Sequence, residues 1–253
     1  MNTILRMRGA VWIVGLVMLL ALAALPAPVR AAQDNWPNAN WPVSGTVDYQ
    51  VSLFGEGNLP VGRGRHTWSH DGHQYWMQLD VDTTGFAAML RRLGYVQASQ
   101  GSIGANGLRP ARFDVTQLGK KPEAAVFDWD AERVSIRRGE RERRSADLMA
   151  GDQDLLSVWH QLGHLDELPE SLLVVGNKDS RRARPSRVED GSVRVPAGTF
   201  AARHFKIRSD DGRFVIDLWL ALDHAMVPVR AVLTDPKTVT LVLEATALNV
   251  PGK

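Results

Sequence analysis

Alternation with a period of two runs through most of this chain. Val47, Tyr49, Val51 and Leu53 fall on one side of an extended segment, while Thr46, Asp48, Gln50 and Ser52 fall on the other. Successive side chains of a strand point to opposite faces, so this spacing predicts a strand with one face on a core and one toward water. Tyr75, Met77, Leu79 and Val81 alternate in the same way with Gln74, Gln78, Asp80 and Asp82. Phe214, Ile216, Leu218 and Leu220 bracket Asp217, and Leu241, Leu243, Ala245 and Ala247 alternate with Thr240, Glu244 and Thr246. Between such runs lie Asp71-Gly72, Asn106-Gly107, Arg138-Gly139, Asp190-Gly191, Asp211-Gly212 and Asp235-Pro236. Most of these dipeptides supply the positive φ that tight hairpins require. The pattern predicts a mainly β chain of about ten or more strands joined by hairpins. Its fold class is a single antiparallel, strongly curved sheet or half-open β-barrel, with one or two short helices packed on it.

Two segments depart from the alternation. Thr84 to Leu93 reads as a short helix, with Phe86, Met89, Leu90 and Leu93 on one side. Asp152 to Leu165 reads as a stronger one: Leu155, Val158, Trp159 and Leu162 form an apolar stripe, and Gln153, Ser157, His160 and His164 a polar stripe expected to face solvent. Asp152 and Asp154 sit where a helix N-terminus favours acid. No repeat, low-complexity tract or linker divides the region, so residues 44–250 are expected to form one β-rich domain behind a flexible arm over residues 32–43.

The N-terminus changes the reading of charge. Arg6 and Arg8 precede an uncharged run of 16 residues, Ala10 to Leu25, followed by Pro26, Pro28 and Val29-Arg30-Ala31. This reads as a secretory signal over residues 1–31, cleaved after Ala31. The run is shorter than the about 20 residues that cross a bilayer, so the mature chain is expected in the periplasm, soluble and not membrane-spanning. The chain has no cysteine, which excludes a thioether-linked lipid, disulfides and cysteine nucleophiles. Cleavage removes Arg6, Arg8 and Arg30 and no acid, so 30 basic residues become 27 against 28 acidic ones. A near-neutral domain has no long-range field to attract polyanions, and nucleic acid is not expected as a partner.

Further along, short motifs recur in a familiar order: Leu59-Pro60-Val61-Gly62, Gly107-Leu108-Arg109-Pro110 with Phe113, Phe127-Asp128-Trp129, Gln153-Asp154-Leu155-Leu156-Ser157, Pro196-Ala197-Gly198-Thr199-Phe200, and Trp219-Leu220-Ala221 followed by Pro228. Together they resemble the bacterial exported family called domain of unknown function 3108 (DUF3108), over the stretch from Thr46 to Leu248. The resemblance implies a periplasmic, mostly antiparallel β protein, similar in architecture to periplasmic lipoprotein carriers. It supplies no catalytic residues. Most of the conspicuous glycines and prolines in these motifs are expected to serve turns and bulges.

Chemistry-bearing patterns are sparse. His66, His70 and His73 flank a turn, and His160 and His164 are four apart on one helical face, but neither set has the spacing and companion ligands of a zinc site. All five are expected to be solvated, with no metal and no cofactor. Gly-x-Ser-x-Gly, Ser-x-x-Lys and a phosphate-binding glycine loop are absent, and the Asp80/Asp82 and Asp128/Asp130 pairs need only a solvated face, so no catalytic residue is assigned. Arg133 to Arg144 reads as a charged hairpin that protects a sheet edge. Lys178, Arg181, Arg182, Arg184 and Arg187 are less compensated and form a candidate patch for lipid headgroups or an acidic partner. Trp76 and Trp219 fall on the polar side of their strands, which calls either for the helix at Asp152 to Leu165 to cover them or for a ligand groove.

The reading that follows is a non-enzymatic envelope protein that buries an apolar or amphipathic component, a lipid or lipid-linked molecule, against Tyr49, Met77, Trp76, Leu218, Trp219 and Leu243. A structural or assembly factor contacting other envelope proteins is the alternative. A hydrolase stands behind both, because no convergence of titratable groups is visible.

Overall fold

The computed structural model describes residues 41–54, 59–84, 94–235 and 240–250, the side chain of Phe54 excepted. The leader, the arm before Trp41 and, past Thr84, the helix expected up to Leu93 lie outside the described residues, as does the turn at Pro236.

Among the described residues alternation becomes fifteen strands in one sheet. In chain order they are β1 (Ser44–Phe54), β2 (Leu59–His70), β3 (Gln74–Thr83), β4 (Gly94–Gly104), β5 (Gly107–Gln117), β6 (Glu123–Asp128), β7 (Arg133–Arg138) and β8 (Arg141–Asp147). There follow β9 (Gln153–Asp154), β10 (Leu172–Val175), β11 (Ser180–Val195), β12 (Gly198–Ser209), β13 (Val215–Ala221), β14 (Val227–Thr234) and β15 (Thr240–Asn249). Each strand pairs with its neighbour in sequence except at two places: β1 also pairs with β15, joining the two meanders, and β8 and β9 are the free edges. Every pairing is antiparallel apart from β9 with β10. The sheet is therefore open, and it curls until one edge meets its own interior: Gln153 of β9 donates from Nε2 to the Leu108 carbonyl of β5 at 2.8 Å.

The concave face collects the apolar positions. Val47, Tyr49 and Val51 of β1 are buried, as are Tyr75, Met77 and Leu79 of β3 and Ile216, Leu218 and Leu220 of β13, each side chain worth roughly 1.5–3 kcal/mol when removed from water. The glycine of Asn106-Gly107 has φ of 97° and packs against the Gln161 carboxamide, so this turn demands both positive φ and a missing Cβ. One expected turn is misplaced. Asp190-Gly191 lies within β11, at a shift in its register with β12, and the chain reverses instead before Gly198, where φ is 142°.

The segment from Asp152 to Leu165 differs most from expectation. Gln153 and Asp154 join the sheet as β9, and only α1 (Ser157–Gln161) is helical, continued by a single 3-10 turn over Leu162–His164. It lies inside the curl, so both of its stripes are buried except at Leu155, which is partly buried. The arm also ends earlier than expected: Trp41 is 4% exposed and stacks on His70 with ring centroids 4.5 Å apart, while Trp68 donates its indole N–H to the Pro42 carbonyl at 3.0 Å.

Candidate functional site

The interior of the curl has a filled part and an open part. The filled part is built around α1. Asp154 Oδ1 accepts the backbone N–H groups of Leu156 and Ser157, both at 2.8 Å, and its Oδ2 accepts Ser99 Oγ–H at 2.6 Å. Asp152, equally buried, accepts from the Met149 and Leu173 backbone and from Arg182. Gln161 accepts the Leu108 N–H and donates to the Asn106 carbonyl. The polar residues of Gln153-Asp154-Leu155-Leu156-Ser157 are thus ties that fasten one edge of the sheet to β4 and β5. Burial pushes the Asp154 carboxyl up to about 6, and its hydrogen bonds act against that rise.

His66 and His160 meet inside this polar core. His66 Nδ1 lies 2.9 Å from the Gln78 carbonyl, which only accepts, so Nδ1 carries the proton and Nε2 is bare. His160 Nε2 then donates to it at 2.8 Å, leaving His160 Nδ1 unprotonated. Both rings are neutral. Burial lowers His66 and His164 to about 4, and lowers His160 as well, with His66, His164 and His70 adding repulsion to its charged form. The expectation that His66, His160 and His164 are solvated is therefore wrong: all three are buried, and of the turn set only His73 is exposed. Among the described residues no three metal-ligating side chains converge.

The open part is an apolar cavity of about 1070 Å³ at the end of the curl where β1, β3 and β14 finish and β2, β4 and β15 begin. Its wall, among the described residues, includes Val51, Leu79, Val81, Leu233, Leu241 and Leu243, and Leu155 and Trp159 reach it from the α1 segment. Leu59 and Leu118, 67% and 66% exposed, mark its contact with solvent. Polar groups are few: Gln97 donates to the Tyr95 hydroxyl at 2.7 Å, and Asp82, Gln117 and Lys120 also line it. Burial raises the Tyr95 phenol, so it stays protonated.

Of the six residues expected to bind an apolar ligand, Leu243 alone lines this cavity. Tyr49, Met77 and Leu218 are on the concave face but packed into the core, the Tyr49 hydroxyl donating to the Pro228 carbonyl at 2.7 Å. Trp76 and Trp219 are on the outer face, and α1 does not cover them. Trp76 is 39% exposed; Trp219 is sandwiched between its cross-strand neighbours, the His204 ring at 4.2 Å and the Arg230 guanidinium at 4.8 Å. Sequence periodicity placed residues on the correct face but not at the correct depth along the barrel. The cavity wall was visible only as the ends of strands beside connections that break the alternation.

The basic patch is mostly neutralised. Arg181 pairs with Asp179 and Asp211, Arg182 with Asp152 and Arg184 with Asp210, and Arg187 lies over the Phe205 ring. Asp179 belongs to the run itself, but Asp152 comes from just before β9 and Asp210 and Asp211 from the turn after β12, which the linear run could not reveal. Lys178 is the exception; it faces the arginines of the β7–β8 hairpin across a second, polar pocket.

The family model described as protein of unknown function DUF3108 matches residues 48–244. The chain belongs to the DUF3108 family. No curated protein matches it. Among solved structures, a β-barrel-like protein of domain of unknown function DUF1849 from Brucella abortus superposes with a TM-score of 0.53 at 11% identity, covering 83% of this chain and 99% of that one. A DUF1329 family protein from Desulfovibrio piger gives a TM-score of 0.31 at 11% identity, covering 88% and 93%, too low to speak to the fold. The likeness to the DUF1849 protein shows that the DUF3108 chain has a barrel-like curled sheet.

Proposed function

We propose that this DUF3108 protein works in the bacterial envelope as a non-enzymatic carrier, exported to the periplasm by its leader, and holds the apolar chain of a lipid or lipid-linked molecule in the open part of the curl. The observation that carries this reading is the cavity of about 1070 Å³ walled by aliphatic side chains. Small-molecule sites span roughly 300–1000 Å³, and packed interiors leave few voids larger than a water molecule. An acyl chain entering such a space gains roughly 0.8 kcal/mol per buried methylene. Of the polar side chains along the wall, Tyr95 and Gln97 bond to each other. Aliphatic side chains outnumber the titratable groups of the wall, Asp82, Tyr95 and Lys120 among the described residues, as a hydrocarbon ligand requires.

The test is titration of the purified protein with a fluorescent fatty acid in detergent-free buffer. Saturable binding, competed by unlabelled fatty acid and lost in Leu241→Trp and in Val81→Phe while the thermal midpoint holds, is the expected result. No saturable binding, or binding indifferent to both substitutions, overturns the reading.

A further inference from the structure

The β7–β8 hairpin, the start of β6 and the turn between β10 and β11 enclose a pocket of about 470 Å³ where one end of the sheet overlaps the other. Six cations line it, Arg137, Arg138, Arg141, Arg143, Arg144 and Lys178, against two carboxylates, Glu123 and Glu142. Both carboxylates are engaged. Glu123 accepts from Arg138 at 2.9 Å and from Asn177; Glu142 accepts from Arg133 and from Ser135. Arg141, Arg143, Arg144 and Lys178 form no ion pair among the described residues, and Arg137 acts on Glu142 only through space.

The strand register sharpens the point. Arg138 is the cross-strand partner of Arg141, and Arg144 that of Ile136, whose side chain is buried on the concave face. Cross-strand partners share a face, so Arg138, Arg141 and Arg144 line the inner side of the hairpin together. Like charges set opposite one another destabilise a strand pair. Edge protection asks only for charge, which alternating signs would supply without that repulsion. A concave group of guanidiniums, with a lysine facing them from the far wall, is the donor set that oxyanions bind, through forked N–H groups and a compact point charge.

We propose that this pocket binds a phosphate group, either free or carried on a lipid headgroup. The site is separate from the apolar cavity and does not rest on the reading given for it. Lys178 is its only member from the basic run between Lys178 and Arg187; the arginines come from the hairpin.

Isothermal titration of pyrophosphate into the full mature chain at low salt tests it, alongside sedimentation with phosphatidylcholine vesicles with and without phosphatidic acid. The variants are Arg141→Glu/Arg144→Glu, the milder Arg141→Gln/Arg144→Gln, and Arg194→Glu/Arg208→Glu, which changes net charge equally at exposed sites elsewhere. Pyrophosphate binding that weakens with salt, falls by about tenfold or more in both Arg141/Arg144 variants and survives in the Arg194/Arg208 variant establishes a free-phosphate site. If pyrophosphate is ignored but phosphatidic acid vesicles are bound with the same variant pattern, the phosphate is lipid-borne. Binding of neither probe, or equal losses in all variants, overturns the proposal. Leu241→Trp is expected to leave this binding unchanged.

Discussion

The two parts of the concave interior are lined by many of the same strands yet solve opposite problems. Around α1 the inward positions include His66 and Ser99, and they meet polar groups from the α1 segment. Toward Leu59 and Leu118 most inward positions are aliphatic and, among the described residues, face the cavity. The contrast teaches that polarity around α1 marks where chain is anchored, and that a mostly aliphatic wall marks where no described segment covers the sheet.

Acid should break the filled part first and produce the largest effect. His66 and His164 have folded values of about 4 against 6.5 for the free side chain, and His160 is also lowered. Below pH 6.5 the unfolded chain therefore takes up protons that the native chain refuses, and stability falls until about pH 4. Asp154, raised from 3.8 to about 6, acts in the opposite sense, because the native chain holds its proton between those values. Three histidines against one carboxyl leave a net loss of about 2–3 kcal/mol per pH unit near pH 5, which urea unfolding across pH 4 to 7 would measure.

The same truncation in each part sharpens the comparison. Leu162→Ala, in the filled part, should cost about 2–5 kcal/mol, while Leu241→Ala, already facing the cavity, should cost about 1 kcal/mol. Equal costs would mean that the two parts are packed alike. Asp154→Ala strands the N–H groups of Leu156 and Ser157 and should cost about 2–3 kcal/mol in the same assay. Trp76→Gln, on the outer face, should change the midpoint least, by the equivalent of about 0.5 kcal/mol or less.

Much of the barrel was legible in the chain because period-two alternation is a local property. Tyr75, Met77 and Leu79 announce the inner face of β3 without reference to anything distant, and Gly72, Gly107, Gly139 and Gly212 all take the positive φ their turns suggested. The α1 segment was misread because its periodicity assumes that polar residues meet water. His160 meets His66 instead, a residue 94 positions away. A clue was present: His66 shares its face with Gly64 and Trp68, so a polar side chain pointed inward and required a buried partner. The cavity was illegible for a different reason. Alternation says which side chains point inward, and only the curl of the sheet decides which of them find neighbours.

On the function proposed above, the open part of the barrel is occupied in the cell by an apolar chain. This is tested most directly by isolating the protein from the cell envelope without detergent and recording native mass spectra before and after solvent extraction. The expected result is a bound species of lipid mass, absent from Leu241→Trp isolated in parallel. Protein that carries no lipid from the cell and takes up none when acyl chains are supplied would contradict it.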